Sequence, residues 1–193
     1  MPGFQQILER SKASVVSPDS HIRVVIHKGS SMRFAFAKDA YRRYDEARLC
    51  AQLAAVLVSA FAAEERVRRE ALSAAVGDTV HPRAEWQLDA RERQLRKHRA
   101  HIAVLGKSDD GRVRVKRTGE DGWAVRIASG TLKDLDAAEF LTRFQQALSA
   151  AVREHRIAVA DARLKVFGSA RHRRYVAPEP KTPKETPNGR PKR

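Results

Sequence analysis

Residues 22–36 alternate in character. Ile22, Val24 and Ile26 are spaced by Arg23 and Val25, and Met32, Phe34 and Phe36 by Arg33 and Ala35. A period of two places one set on each face of a strand. The Lys28–Ser31 stretch between the two runs holds a glycine suited to a hairpin turn. Before this hairpin, residues 2–13 read as a short amphipathic helix. After it, Leu49, Leu53, Leu57, Ala60, Val67 and Ala71 keep helical spacing, which predicts one long helix over 45–76. Asp45 is its expected N-cap and Gly77 its expected C-terminal stop.

The same pattern then returns. His81-Pro82 breaks the chain, and residues 83–104 read as a charged helix with Leu88, Leu95 and Ile102 spaced alike. A second hairpin follows, in which Val113 and Val115 flank Arg114, and Trp123, Val125 and Ile127 alternate with Ala124 and Arg126. Gly119 and Asp121-Gly122 supply its turn. Phe140, Phe144, Leu148, Val152 and Val159 predict a second long helix over 136–167, ending at Gly168. Residues 17–77 lie over 108–168 without a gap, with 11 identities in 61 positions. The matches include Ser17 with Ser108, Asp19 with Asp110, the capping Asp45 with Asp136, and Gly77 with Gly168. The expectation is an α+β fold of two similar α-β-β-(β)-α modules, over 1–78 and 82–168. Each is a small antiparallel sheet covered on one face by a long helix. Phe34, Phe36, Leu53 and Leu57 are the expected core of the first module, and Val125, Ile127, Phe144 and Leu148 that of the second. Residues 169–193 hold five of the eight prolines and almost no core formers, so they are expected to be disordered.

Composition sharpens this picture chiefly through charge. Of the 193 residues, 38 are Lys or Arg and 23 Asp or Glu, a formal net charge of +15. The excess is localised: residues 1–44 carry +5, 82–118 carry +6 and 169–193 carry +6, while 45–81 and 119–168 are near neutral. Localised positive charge is the electrostatic footprint of a polyanion binder. Arg outnumbers Lys by 27 to 11, a skew typical of GC-rich bacterial coding sequence. A lone cysteine, Cys50, excludes an intrachain disulfide and, within an Ala-rich apolar run, reads as a buried structural thiol in a reducing compartment. No run of 18 apolar residues occurs and the N-terminus lacks an apolar signal region, so no membrane span is predicted and the cytoplasm is the expected compartment.

A short helix, the segment SDDGRVRVKRTGEDGWAVRIASGTL and a long Ala-rich helix starting near an acidic residue make up residues 83–168. This arrangement resembles the YbaB/EbfC family of bacterial nucleoid-associated proteins, and residues 2–77 resemble it more loosely. The resemblance implies a helix, a small antiparallel sheet and a long helix that dimerise and bind DNA. Members are usually single acidic modules, whereas this chain is basic and doubled. The resemblance therefore implies either an internal pseudo-dimer or a homodimer.

Catalytic chemistry has no signature here: GxSxG, P-loop, HExxH, CxxC and GxGxxG are all missing, so no enzyme activity, cofactor or metal is predicted. His98 and His101 share a helix face, but no cysteine or close carboxylate completes a metal site. The basic clusters carry the functional expectation. Arg93, Arg96, Lys97 and Arg99 end the charged helix, and Arg112, Arg114 and Lys116 share one face of the next strand, with Arg117 on the other. Across the short turn these cations are expected to form one continuous patch, with Arg171, Arg173 and Arg174 of the tail as auxiliaries. Arg and Lys are rarely buried unpaired, and phosphate contacts need only such side chains. The expected function is sequence-tolerant DNA binding by a nucleoid-associated protein. The alternative is a protein-interaction scaffold whose basic surface meets an acidic partner.

Overall fold

Each strand of the first half recurs in the second, displaced by the same number of residues. A computed structural model describes residues 4–6, 12–27 and 31–172, the last four as backbone only. Strands β1 (Lys12–Val16), β2 (Ile22–His27) and β3 (Ser31–Phe36) form one sheet. Strands β4 (Ala103–Lys107), β5 (Val113–Thr118) and β6 (Gly122–Ile127) form the other. Both are antiparallel meanders, and their bounds differ throughout by the 91 residues that separate Ile22 from Val113. A 3-10 turn at Tyr41–Arg43 leads into the long helix α1 (Glu46–Val76). After helix α2 (Ala90–Ala100) and the second sheet, the one-turn helix α3 (Thr131–Asp134) leads in the same way into α4 (Ala137–His172). The fold is thus α+β, with two three-stranded sheets and a long helix packed against each.

Local chemistry explains the recurrence. Ahead of β2, the Ser17 hydroxyl donates to Asp19 Oδ1 at 2.6 Å and accepts from the Ile22 N–H at 2.9 Å. Ahead of β5, Ser108 donates to Asp110 Oδ1 at 2.6 Å and accepts from the Val113 N–H at 3.0 Å. Each Ser-x-Asp turn satisfies polar groups that the sheet would otherwise bury without partners. The Asp45 side chain accepts from the Arg48 N–H at 2.7 Å and caps α1. Asp136 accepts from the N–H groups of Ala138 and Glu139, and Glu139 reaches back to the Asp136 N–H at 3.0 Å, a full capping box at the start of α4. Gly77, at φ +76°, closes α1 in the left-handed conformation that glycine adopts without strain.

One core joins the halves. Helix α1 lies on β1 and β2 of its own sheet and against β6 of the other, while α4 lies on β4 and β5 and reaches β3. Phe34 meets Phe144 edge-on at 5.0 Å, and Phe61 stacks on Trp123 at 4.5 Å. Tyr41 donates its hydroxyl to the Leu135 carbonyl at 3.1 Å, and Gln145 donates to the Met32 carbonyl at 2.9 Å. Leu53, Leu57, Val125, Phe144 and Leu148 are buried in this core as the periodicity predicts. Phe34, Phe36 and Ile127 pack on it half-buried. The two phenylalanines stand on β3, the strand that α4 barely covers, beside an open groove of about 970 Å³.

Four expectations need correction. The opening helix stops short of residue 13, because Lys12 and Ala13 already belong to β1; residues 7–11 lie outside the described residues, and 4–6 are helical. The charged helix spans Ala90–Ala100, not 83–104, and Ala103 and Val104 belong to β4. Leu88, Leu95 and Ile102 happened to continue a helical spacing through a segment that hydrogen-bonds as an edge strand: the Gly119 N–H donates to the Ile102 carbonyl at 2.7 Å. Gly168 does not end α4, which runs on to His172. Finally, an 18-residue stretch of α1 reaches a mean hydropathy of 1.4, enough by length and composition to cross a membrane. The sequence reading missed it because isolated charged and polar residues interrupt the run. In this fold the same helix buries Leu49, Leu53, Val56, Leu57 and Ala60 in the core. The hairpin turn at 28–30 and the tail beyond 172 lie outside the described residues.

Candidate nucleic-acid interface

Alternation along β5 sorts its cations. Val113 and Val115 are fully buried beneath α4, so Arg114 and Lys116 point outward and are exposed. Pairing then decides what stands beside them. Arg114 is in register with Lys107 on β4 and with Arg126 on β6. Three cations therefore lie side by side across all three strands. With strands about 4.8 Å apart, the row spans roughly 10 Å. Lys116 lies two residues along the same face, next to Leu105 and Ala124. Like charges directly opposite each other weaken a sheet, so this row works against stability.

None of Lys107, Arg114, Lys116 and Arg126 has an ion-pair partner among the described residues. Arg112, just ahead of β5, is half-buried and bonded to Asp134 Oδ2 at 2.9 Å. The turn that launches β5 is also fixed electrostatically. The Ser108 hydroxyl holds the Asp110 carboxyl below the ordinary 3.8; burial opposes this, and the Arg112 N–H and the charges of Arg143 and Arg112 add to it. Arg143 Nε lies 3.1 Å from Asp110 Oδ2.

Helix α2 presents the other predicted cations. Arg93, Arg96 and Lys97 are exposed, and Arg93 also donates to the Leu88 carbonyl at 2.6 Å, folding back over the helix start. Arg99 is half-buried and paired with Glu120 at 3.2 Å, which ties the end of α2 to the β5–β6 turn. Helix α2 packs against α4, the helix that covers the inner face of the second sheet. Arg114 and Lys116 point away from that face. The predicted cations thus stand on two elements, Arg93, Arg96, Lys97 and Arg99 on α2 and Arg114 and Lys116 on the outer face of β5. Arg171 belongs to the backbone of α4; its side chain, and Arg173 and Arg174 entirely, lie outside the described residues.

Sequence reasoning missed Lys107 and Arg126. The signal that finds them is register: the Gly119–Gly122 turn fixes Thr118 opposite Gly122, and counting back sets Arg114 opposite Arg126. His98 and His101 are exposed, and His101 Nδ1 donates to the Lys97 carbonyl at 2.7 Å. Cys50 is half-buried, not fully buried, and burial pushes its thiol above the ordinary 9.0. Comparison with known protein families, curated proteins and solved structures gives no match to this chain.

Proposed function

We propose that the protein binds DNA without sequence preference, through phosphate contacts made by the outer face of the second sheet and the exposed face of α2. The observation that carries this reading is the in-register row Lys107–Arg114–Arg126, with Lys116 beside it and no acid paired to any of them among the described residues. A row that weakens its own sheet has its use in an external anion. Regularly spaced cations on a sheet suit a phosphate backbone, and each contact made releases a counterion. No helix-turn-helix or zinc-finger spacing accompanies the row, so base-specific readout forms no part of the proposal. The resemblance to the YbaB/EbfC family points the same way, toward a nucleoid-associated protein of the bacterial cytoplasm. On this reading the two halves pack against each other as two single modules would in a homodimer.

Binding to random duplex, single strand and RNA at two salt concentrations tests the proposal. Duplex affinity is expected to fall steeply and linearly in log K against log salt. Changing Arg96, Lys97 and Arg99 together to alanine is expected to weaken binding alike on all sequences. Salt-independent binding, or none near 50 mM salt, contradicts the proposal. A salt-resistant complex with an acidic protein in nuclease-treated lysate then supports the scaffold reading.

A further inference from the structure

The inner face of the second sheet carries one charge. Arg117 stands where the first sheet has Ile26, a core residue that is 1% exposed. Its guanidinium lies 5.0 Å from the centre of the Trp123 ring and 5.3 Å from that of Phe61, and it donates to the Glu120 carbonyl at 3.0 Å. Beside it, between α1, the end of α2 and α4, a cleft of about 390 Å³ is lined by Glu64, Arg68, Arg99, Arg117, His155 and Arg156, among others. Glu64 and His155 are equivalent positions of the two halves, and both are buried.

Several donors in and beside this cleft have no partner. Arg99 Nε, Arg117 Nε, Trp123 Nε1 and His155 Nε2 are buried with no hydrogen-bond partner in the protein. Arginine and tryptophan nitrogens only donate, and a buried donor without an acceptor forfeits its hydration for nothing. Of the carboxylates that line it, Glu64 pairs with Arg68 at 2.7 Å, Glu65 with Arg69 at 3.2 Å and Glu120 with Arg99 at 3.2 Å, while Asp121 has no ion-pair partner among the described residues. Arg117 and Arg156 have no ion-pair partner among the described residues. Four arginines and four carboxylates line the cleft, and the charges of Glu64, Asp121 and Glu120 favour the charged form of Arg117. Burial holds His155 below its ordinary 6.5; the charges of Arg117 and Arg99 push it the same way, against a backbone hydrogen bond with Gly119. What the unpaired arginine and tryptophan donors lack is acceptor atoms, which an oxyanion carries in number.

We propose that this cleft is an oxyanion site that takes a phosphate group, with Arg117 as its central ligand and Arg99 and Arg156 flanking it. Guanidinium forks match phosphate oxygens in pairs. Beyond Phe61, Glu64 and Arg156 the cleft continues into a second space of about 590 Å³ with apolar walls from Met32, Leu148, Val152 and Ile157. A phosphate carried on a small apolar or aromatic body therefore fits as well as the free ion. The outer row of the sheet takes no part in this site, because Arg114 and Lys116 point to the opposite face; Arg99 is the one residue shared with the proposed DNA surface.

The chain has two tryptophans, and Trp86 is 81% exposed, so Trp86→Phe leaves Trp123 as the sole reporter. Fluorescence and calorimetric titrations of this variant with inorganic phosphate and with phenyl phosphate, at ionic strength held constant with chloride, test the site. Saturable binding of at least one is expected, tighter for phenyl phosphate if the apolar space contributes. Arg117→Ile, which copies the first half, is expected to weaken it at least tenfold, and Arg156→Gln several-fold. Lys116→Ala is expected to leave it unchanged. No saturable heat with either ligand overturns the proposal, as does undiminished affinity in Arg117→Ile. Should Arg117→Ile fail to fold by circular dichroism, Arg156→Gln decides, since Arg156 is exposed; unchanged affinity there overturns the proposal equally.

Discussion

Strands β2 and β5 hold the same place in their sheets, yet their outer faces differ. The first shows Arg23, Val25 and His27; the second shows Arg114, Lys116 and Thr118. The neighbours widen the contrast. Arg114 lies between Lys107 and Arg126, whereas Arg23 lies between Val16 and Ala35. The other strong cations of the first face are spread over further rows: Arg33 stands beside Val25 and Ser14, and Lys12 beside His27 and Ser31. The backbone plan is therefore duplicated and the surface chemistry is not. Folding constrains the inward positions, which remain apolar in both halves except at Arg117. The outward positions are free of that constraint, so the two faces can diverge, and the second has concentrated charge in a single row.

The cores differ as well, and the largest expected effects lie there. Phe144 and Leu53 are equivalent and both fully buried. Phe144→Ala should cost about 3–5 kcal/mol, and Leu53→Ala about 2–5. Because one core joins the halves, denaturant unfolding of either variant should show a single transition moved to lower midpoint. Two separated transitions would show that the halves unfold apart.

Helix seating gives the next effect. A Cβ on Gly106 would sit 2.0 Å from the Ala147 carbonyl oxygen and 2.4 Å from the Ala151 nitrogen, both backbone atoms of α4. The first half has Val15 at this position. Helix α4 therefore rests directly on β4, while α1 is held off β1 by a side chain and leans toward β6. Gly106→Ala should destabilise by about 1–3 kcal/mol or more, since backbone must move. The reverse change, Val15→Ala, removes two half-buried methyl groups and should cost less. Equal costs would contradict the difference in seating.

A smaller effect concerns acid. Burial opposes the charge of Asp19, but hydrogen bonds from Ser17, Tyr44 and the His21 N–H outweigh it and keep its carboxyl below the ordinary 3.8. Asp110 is lowered likewise. A carboxyl lowered on folding stabilises the native state above its unfolded value, and that stability is lost as pH falls through the folded value. Stability measured between pH 5 and pH 2 should therefore decline, and Ser108→Ala should flatten the decline. Glu64 has the opposite sign: burial raises it above 4.5, so its contribution is lost as pH rises through its folded value. A decline unaltered by Ser108→Ala would remove the Ser-x-Asp turns from this account.

Much of the fold was legible because turn chemistry and core spacing repeat together. Asp45 with Gly77, the Ser-x-Asp pairs and the alternation in 22–36 and 113–127 each specify structure locally, and all agree with one offset. The first strand of each sheet was not legible. β1 and β4 are short, and each shows only two half-covered or buried positions per strand, so their alternation is faint. The candidate site was half legible. Alternation alone set Arg114 and Lys116 together with Arg117 opposite, but the partnership with Lys107 and Arg126 is a property of pairing between strands. Which face α2 turns to α4, and so which of its cations stay exposed, is likewise a property of packing between elements.

The central claim is that the second outer face, not the first, meets DNA. The direct test compares the salt dependence of random-duplex binding by two double variants, Arg114→Ala with Arg126→Ala and Arg23→Ala with Arg33→Ala. All four side chains are exposed, so folding is expected to be retained. The slope of log K against log salt should fall by about two for the second-sheet pair and by less than about one for the first-sheet pair. A second-sheet pair that leaves affinity and slope unchanged, or equal losses from both pairs, would contradict it.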